Sequence, residues 1–253
     1  MKELETKITN WKKEETKWRV VVVQMADVQK YGIMKFLSEN PVLGLDDNIL
    51  YVQVHMLPPM AKSDRKSNKK TLVLDLDETL VHSTVNKPLK RHDFAIQCRH
   101  PDGTSIYYVL KRPWVDLLLD ELRNLYEIVV FTASNKEYAD AILNKLDPHG
   151  NIIRHRLYRD SCIQLPGPKS KPVKDLSTLG RNLRKVIFVD DSYRHHCQQE
   201  NAFPVRRFLD DMNDTELLSL LGFCKRIANS ESDARTLILS HAISRHNGCP
   251  GWN

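Results

Sequence analysis

Three short, almost wholly apolar runs constrain this chain most: Thr71-Leu72-Val73-Leu74, Ile128-Val129-Val130-Phe131 and Val186-Ile187-Phe188-Val189. A strand with one wet face alternates polar and apolar residues. A strand lacking polar positions needs cover on both faces, as in the middle of a parallel sheet. The intervening segments have helical texture. Pro113 suits a first helical turn and opens a predicted helix over 114–125, with Val115, Leu118, Leu119 and Leu122 on one face. Ser134 is the predicted cap of a helix over Lys136–Leu146, which buries Tyr138, Ile142 and Leu146 and stops before Pro148. Asn213 with Glu216 fits a capping box ahead of Leu217, Leu220 and Leu221. Strands alternating with amphipathic helices predict a three-layer α/β domain with a central parallel sheet. Residues 85–110 read instead as a small β insertion, with Asp102-Gly103 as its hairpin turn and 106–110 as the returning strand.

The domain boundary falls in the polar basic stretch ending at Lys69-Lys70. Residues 1–69 are read as an N-terminal extension and linker carrying a β-rich run near Val20–Gln24, a helix over 29–37 and an alternating stretch over 49–54. Residues 70–253 form the main domain. With 41% hydrophobic and 28% charged residues, the chain can build a core, which excludes wholesale disorder. Its 38 Lys and Arg against 32 Asp and Glu leave a net charge of +6, which favours acidic partners. Five scattered cysteines without a C-x-x-C pair argue against a disulfide scaffold or zinc ribbon. The charged start and the longest aliphatic run, Val20 to Val23, predict neither a signal peptide nor a membrane span, and so an intracellular, nuclear or cytoplasmic protein.

The chemistry-bearing residues follow the apolar strands. Asp75-Leu76-Asp77-Glu78-Thr79 comes directly after the first, and period-two spacing places Asp75 and Asp77 on one side of an extended backbone. One carboxylate is then available as nucleophile and the other as general acid and base. Phe131-Thr132-Ala133-Ser134 leads into a helix, where hydroxyls and free amides make either an anion site or a plain cap. Lys174 follows a Pro/Gly loop and by itself reads as a solvated cation. The third strand ends in Asp190-Asp191-Ser192. Carboxylates gathered beside Asp75 repel unless a cation neutralises them, and hard oxygen ligands suit Mg²⁺.

In that order these motifs resemble haloacid-dehalogenase-type phosphatases, specifically the small phosphatases of the RNA polymerase II C-terminal domain and their Dullard relatives. The resemblance runs through Leu80-Val81-His82-Ser83, Val109-Leu110-Lys111-Arg112-Pro113, Tyr138-Ala139-Asp140, Leu157-Tyr158-Arg159-Asp160-Ser161-Cys162, Lys174-Asp175-Leu176-Ser177 and Asp214-Thr215-Glu216-Leu217, covering about residues 70–240. It implies a Rossmann-like fold of the haloacid-dehalogenase type and a Mg²⁺-dependent protein serine/threonine phosphatase acting through a phosphoaspartate. Asp75 is then the nucleophile and Asp77 the acid and base. Mg²⁺ is held by the Asp75 carboxylate, the Asp77 carbonyl and Asp191, with Asp190 supporting that shell. Thr132 and Lys174 bind the phosphoryl oxygens, Arg159 recognises substrate, and the 85–110 insertion forms a peptide groove. The implied partner is a phosphorylated protein or peptide, on the polymerase tail or elsewhere, with no requirement for nucleic acid.

Two residues depart from the pattern: Asp191 stands where the small phosphatases usually have Asn, and Val85 where an aromatic often sits. A non-catalytic scaffold like the import-translocase relative, and a small-metabolite phosphatase, are the alternative readings. His195-His196-Cys197 reads as a surface loop, Cys162 as a packing residue, and Trp114 and Tyr126 as helix–sheet core.

Overall fold

The computed structural model describes residues 20–24, 51–55, 57–58, 60–66, 68–87, 91–100, 103–163 and 171–248. The chain divides into two compact units, one comprising 1–60 with 177–181, the other 61–176 with 182–253. In the first, β1 (Val20–Gln24) pairs in parallel with β2 (Tyr51–His55). The helix expected over 29–37 lies outside the described residues.

The second unit opens with a one-turn helix, α1 (Lys62–Lys66), where Asp64 pairs with Lys69 at 3.1 Å. It then builds a five-stranded parallel sheet from β3 (Lys70–Leu74), β7 (Tyr126–Phe131), β8 (Ile153–Leu157), β9 (Val186–Asp190) and β10 (Ala202–Pro204), in the order β10-β9-β3-β7-β8. Every residue of β3, β7 and β9 is buried, as their unbroken apolar runs require. Lys70 is tolerated at the head of β3 because its ammonium donates to the carbonyls of Ile227, at 3.0 Å, Ala228 and Ser230. The chain runs outward from β3 through β7 to β8, then returns to the other side of β3 for β9 and β10. The topological switch point therefore lies between the carboxyl ends of β3 and β9, where an open α/β sheet forms its crevice.

The insertion is a three-stranded antiparallel sheet, β4 (Val81–Thr84), β6 (Gly103–Lys111) and β5 (Phe94–His100), ordered β4-β6-β5. It begins earlier than expected because Val81–Thr84 pairs back onto β6. Gly103, at φ +139°, already pairs with His100 as the first residue of β6 rather than completing a 102–103 turn; Asp102 lies outside the described residues.

Three helices have their expected apolar faces, with altered ends. Helix α2 (Val115–Leu122) buries Val115, Leu118, Leu119 and Leu122, and stops three residues early in a turn closed by Leu125 N–H onto Leu122 O. Trp114, expected in the core, is 45% exposed on left-handed backbone at φ +71°; Tyr126 is core, its hydroxyl donating to Cys224 O at 2.8 Å. Helix α3 (Lys136–Leu146) is capped by Asn135, which accepts Tyr138 N–H at 3.0 Å, and not by Ser134. Helix α4 (Glu216–Ile227) is opened by Asp214, not Asn213. The Asp214 carboxylate accepts Glu216 N–H at 2.9 Å and also clamps Arg112 at 2.9 and 2.8 Å, two jobs that need a charged, two-oxygen acceptor. Helix α5 (Ala234–Gly248) ends the described chain; among the described residues no helix is long and apolar enough to cross a membrane.

Candidate active site

Asp75 leaves β3 with its N–H donated to Val189 O of β9 at 2.9 Å, so its side chain emerges at the switch point. A tight loop follows: Leu80 and Val81 N–H groups fold back onto Leu76 O, and Glu78 takes left-handed backbone at φ +57°. This loop brings Asp77 beside Asp75 in a cavity of about 460 Å³, lined also by Thr132, Ser134, Arg159, Lys171, Lys174 and Asp191.

Lys174 sets the electrostatics. It is 1% exposed, so the solvated-cation reading is corrected. A two-stranded bridge, Ile163 with Val173, closes the preceding loop and aims Lys174 inward. Its ammonium donates to Asp75 Oδ1 and Asp190 Oδ2, each at 2.6 Å. Burial works against that charge, but the two carboxylates outweigh it and raise the lysine above its usual range. Burial pushes the Asp75 carboxyl up to about 8; Lys174 opposes the push, while Asp190 and Asp77 add to it.

Asp190, 0% exposed, is fully committed to the protein. Its Oδ1 accepts Ser192 N–H at 2.7 Å and the Ser192 hydroxyl at 3.3 Å; its Oδ2 takes Lys174 and, at 3.2 Å, His196 Nε2. Despite burial, His196 and Lys174 hold its carboxyl well below the usual range. His196 is thus no surface residue. It is buried, its Nδ1 accepts Lys174 N–H at 3.2 Å, and that bond leaves the Nε2 proton pointing at Asp190.

Asp77 faces a set of hydroxyls. Tyr138 donates to Oδ1 at 2.5 Å, Ser134 to Oδ2 at 2.7 Å, and Thr132 to Oδ2 at a longer 3.4 Å. Tyr138 in turn meets the Ser83 hydroxyl at 2.6 Å, joining the insertion sheet to the site. The phenol is pushed up by burial and by the Asp77 charge, so it remains a donor.

Asp191 is half-buried, and its backbone N–H donates to Thr79 Oγ1 at 3.1 Å, the same hydroxyl that reaches Asp75 Oδ2 at 3.4 Å. Burial, Asp190 and Glu78 push its carboxyl up, against Arg207 and Lys174. Oxygens of Asp75, Asp190 and Asp191 lie within 4.8 Å of one another. That acidic cluster suits a divalent cation: Asp75 and Asp191 are carboxyls destabilised as anions, while Asp190 is already satisfied by protein donors.

Arg159 stands at the exposed rim in the 3₁₀ turn Arg159–Ser161, tied to the 133–134 loop by its N–H to Ser134 O at 2.9 Å and its Nε to Ala133 O at 2.7 Å. Cys162 is buried, with its thiol pushed up to about 11 chiefly by burial. The structure thus gathers Asp75, Asp77, Thr132, Lys174, Asp190, Asp191 and Arg159 around one cavity or directly behind it. Tyr138, Thr79 and His196 join them without having been read as site residues.

The parallel sheet, its strand-end acids and its small β insertion define an α/β protein of the haloacid-dehalogenase class. The solved structure of Fcp1, described as an essential RNA polymerase II CTD phosphatase, shares this fold with a TM-score of 0.50 at 20% identity, covering 76% of this chain and 57% of that one. Residues 70–235 match the family described as NLI interacting factor-like phosphatase, and the chain belongs to that family. CTD small phosphatase-like protein 1 of Caenorhabditis elegans is 46% identical over 169 residues, which cover 66% of this chain and 33% of that protein. The CTD small phosphatase-like protein of Homo sapiens is 44% identical over 178 residues, covering 70% of this chain and 62% of that protein. The match therefore spans less than two thirds of either relative's length.

Proposed function

We propose that this chain is a Mg²⁺-dependent protein serine/threonine phosphatase that works through a phosphoaspartate on Asp75. The observation that carries the reading is the buried Lys174 ammonium bridging Asp75 and Asp190 at 2.6 Å, beside an Asp77 held by three hydroxyls. Asp75 attacks phosphorus, forming an acyl phosphate as the bond to the seryl oxygen breaks. Asp77, protonated, gives its proton to that leaving oxygen. As a carboxylate it then takes a proton from the water that attacks the acyl phosphate, releasing phosphate and restoring Asp75. The Ser134 hydroxyl accepts as readily as it donates, so it accommodates Asp77 in both states. Lys174 and Thr132 face the phosphoryl oxygens, and Lys174 holds Asp75 in line.

Asp75, the Asp77 carbonyl and Asp191 would hold the Mg²⁺, with Asp190 behind them. When bound, the ion supplies a Lewis-acid charge that offsets the phosphoryl dianion against this carboxylate cluster. The substrate is a phosphorylated protein segment. The insertion, which reaches the site through the Ser83 hydroxyl on Tyr138, is a three-stranded sheet rather than a large cap, and Arg159 and Lys171 give the rim positive charge. The names of the relatives point to the RNA polymerase II tail as one candidate, which would place the protein in the nucleus.

The test is turnover of phosphoserine peptides, with and without EDTA, by the unaltered chain and by Asp75→Asn. The reading expects metal-dependent phosphate release and a hydroxylamine-sensitive phosphoenzyme, both lost in Asp75→Asn. Full activity in that variant, or in EDTA, rejects it.

A further inference from the structure

The cleft has a second basic flank that this chemistry does not use. Arg207 lies three residues beyond β10, at one edge of the parallel sheet; Arg159 lies two residues beyond β8, at the other. Both line the cavity that contains Asp75, whose strand β3 is the middle of the five. The backbone around Arg207 is anchored, with Arg206 O accepting from Arg112 Nη2 and Phe208 N–H donating to Glu78 O, each at 2.8 Å. Its side chain is held far more loosely. It is 63% exposed and pairs with Glu78 Oε2 at 3.3 Å, while the other Glu78 oxygen faces His82 at 3.3 Å. An ion pair this exposed is weak, so the guanidinium can exchange Glu78 for an incoming anion at little cost. Its planar fork suits a carboxylate or phosphate.

We propose that Arg207 is a specificity residue, reading an acidic side chain of an extended phosphopeptide on the flank opposite the one read by Arg159. This rests on the phosphopeptide reading above. Arg207 is held beside Glu78 and close enough to act on the Asp191 charge, on the β9 side of Asp75, whereas Arg159 is tied to Ala133 and Ser134 on the β7 side. One strand interval of about 5 Å plus the reach of an extended arginine corresponds to roughly two to three extended residues, so the anion that Arg207 meets sits about that far from the phosphoserine.

Three phosphoserine peptides test this: one with neutral flanks, one with glutamate three residues before the phosphoserine, and one with glutamate three residues after. Steady-state kinetics on the full chain, Arg207→Ala, Arg207→Lys and Arg159→Ala give the comparison. Arg207→Ala is expected to raise KM for one flanked peptide about five- to tenfold more than for the neutral peptide, with kcat little changed. Arg159→Ala should do so for the other flank. Arg207→Lys should recover part of the loss, and the excess should fade in high salt. A loss equal on all three peptides, or both arginines acting on the same flank, overturns the proposal. Absence of turnover on every peptide instead rejects the phosphatase reading. Fluorescence anisotropy of the same peptides then decides Arg207 independently, by whether its replacement weakens binding of one flanked peptide selectively.

Discussion

Replacing Tyr138 with Phe isolates what the phenol does for Asp77. The change removes one hydroxyl and leaves the ring, which is buried and packs edge-on against Tyr107 at 5.0 Å between centroids. Asp77 then keeps its 2.7 Å bond from Ser134 and the long one from Thr132, but loses the 2.5 Å donor that fixes its other oxygen. A hydrogen bond to a charged group is worth about 1.5–3 kcal/mol. With Ser134 retained, the loss belongs in the lower half of that range, about 1.5–2 kcal/mol, or roughly 10–30-fold in rate.

The size of the effect should depend on the leaving group. A seryl oxygen departs as a strong base and needs the Asp77 proton, whereas nitrophenolate departs without one. Because kcat/KM reports the first irreversible step, phosphoryl transfer to Asp75, it isolates the acid role of Asp77. Tyr138→Phe should lower kcat/KM roughly 10–30-fold on a phosphoserine peptide but only about two- to threefold on nitrophenyl phosphate. Equal losses on both substrates, or none on the peptide, would refute the argument that Tyr138 positions the acid.

Three further outcomes are expected. Asp191→Asn should raise the Mg²⁺ concentration for half-maximal activity yet keep substantial turnover at saturation, while Asp191→Ala should lose both; identical metal titrations would remove Asp191 from the ligand set. Arg112→Met strands the Asp214 carboxylate and the Arg206 and Thr79 carbonyls, so it should cost roughly 3–5 kcal/mol in chemical denaturation. Asp147 is buried, but the N–H groups of Ile153, Ile152 and Asn151 outweigh that burial and hold its carboxyl below the usual range. Its stabilisation is therefore present above an unfolded pKa of about 4 and lost as pH falls through the lower folded value. Asp147→Asn should destabilise the protein at pH 7, with the gap in Tm closing in acid.

The centre of the fold was legible because β3, β7 and β9 are buried on both faces and advertise it as unbroken apolar runs. The edges were not. Strand β8 reads Ile153-Arg154-His155-Arg156-Leu157, charged as an exposed edge tends to be, and β10 has only three residues. Nothing in their periodicity separates such segments from loops. Two helix caps differ from the sequence expectation for a related reason, although the helix over Lys136–Leu146 starts where the sequence predicts. Ser134 and Asn213 have good capping chemistry, but capping is local, and tertiary demands intervened. The Ser134 hydroxyl went to Asp77, while Asp214 took its helix start because it also had to neutralise Arg112.

The same distinction explains the site. Asp75, Asp77, Asp190 and Asp191 could be read because acids directly after apolar strands have little else to do there. Lys174 enters the sequence reading only through the family resemblance, since a lone lysine after a loop has no period and no fixed neighbour until the fold supplies Asp75, 99 residues away. Tyr138 was legible only as a buried helix position, and its polar end acquires meaning 61 residues from Asp77. In the sequence His196 reads only as part of the surface loop His195-His196-Cys197. Its task is different: with Nδ1 occupied by Lys174 N–H, it can only donate to Asp190, keeping that buried carboxylate ionised. Asp190 in turn helps to hold the Lys174 charge. The order of dependence runs inward from His196 to Asp190 to Lys174 to Asp75. Loss of the His196 ring should therefore weaken chemistry at Asp75 through two intervening side chains, without the ring touching substrate.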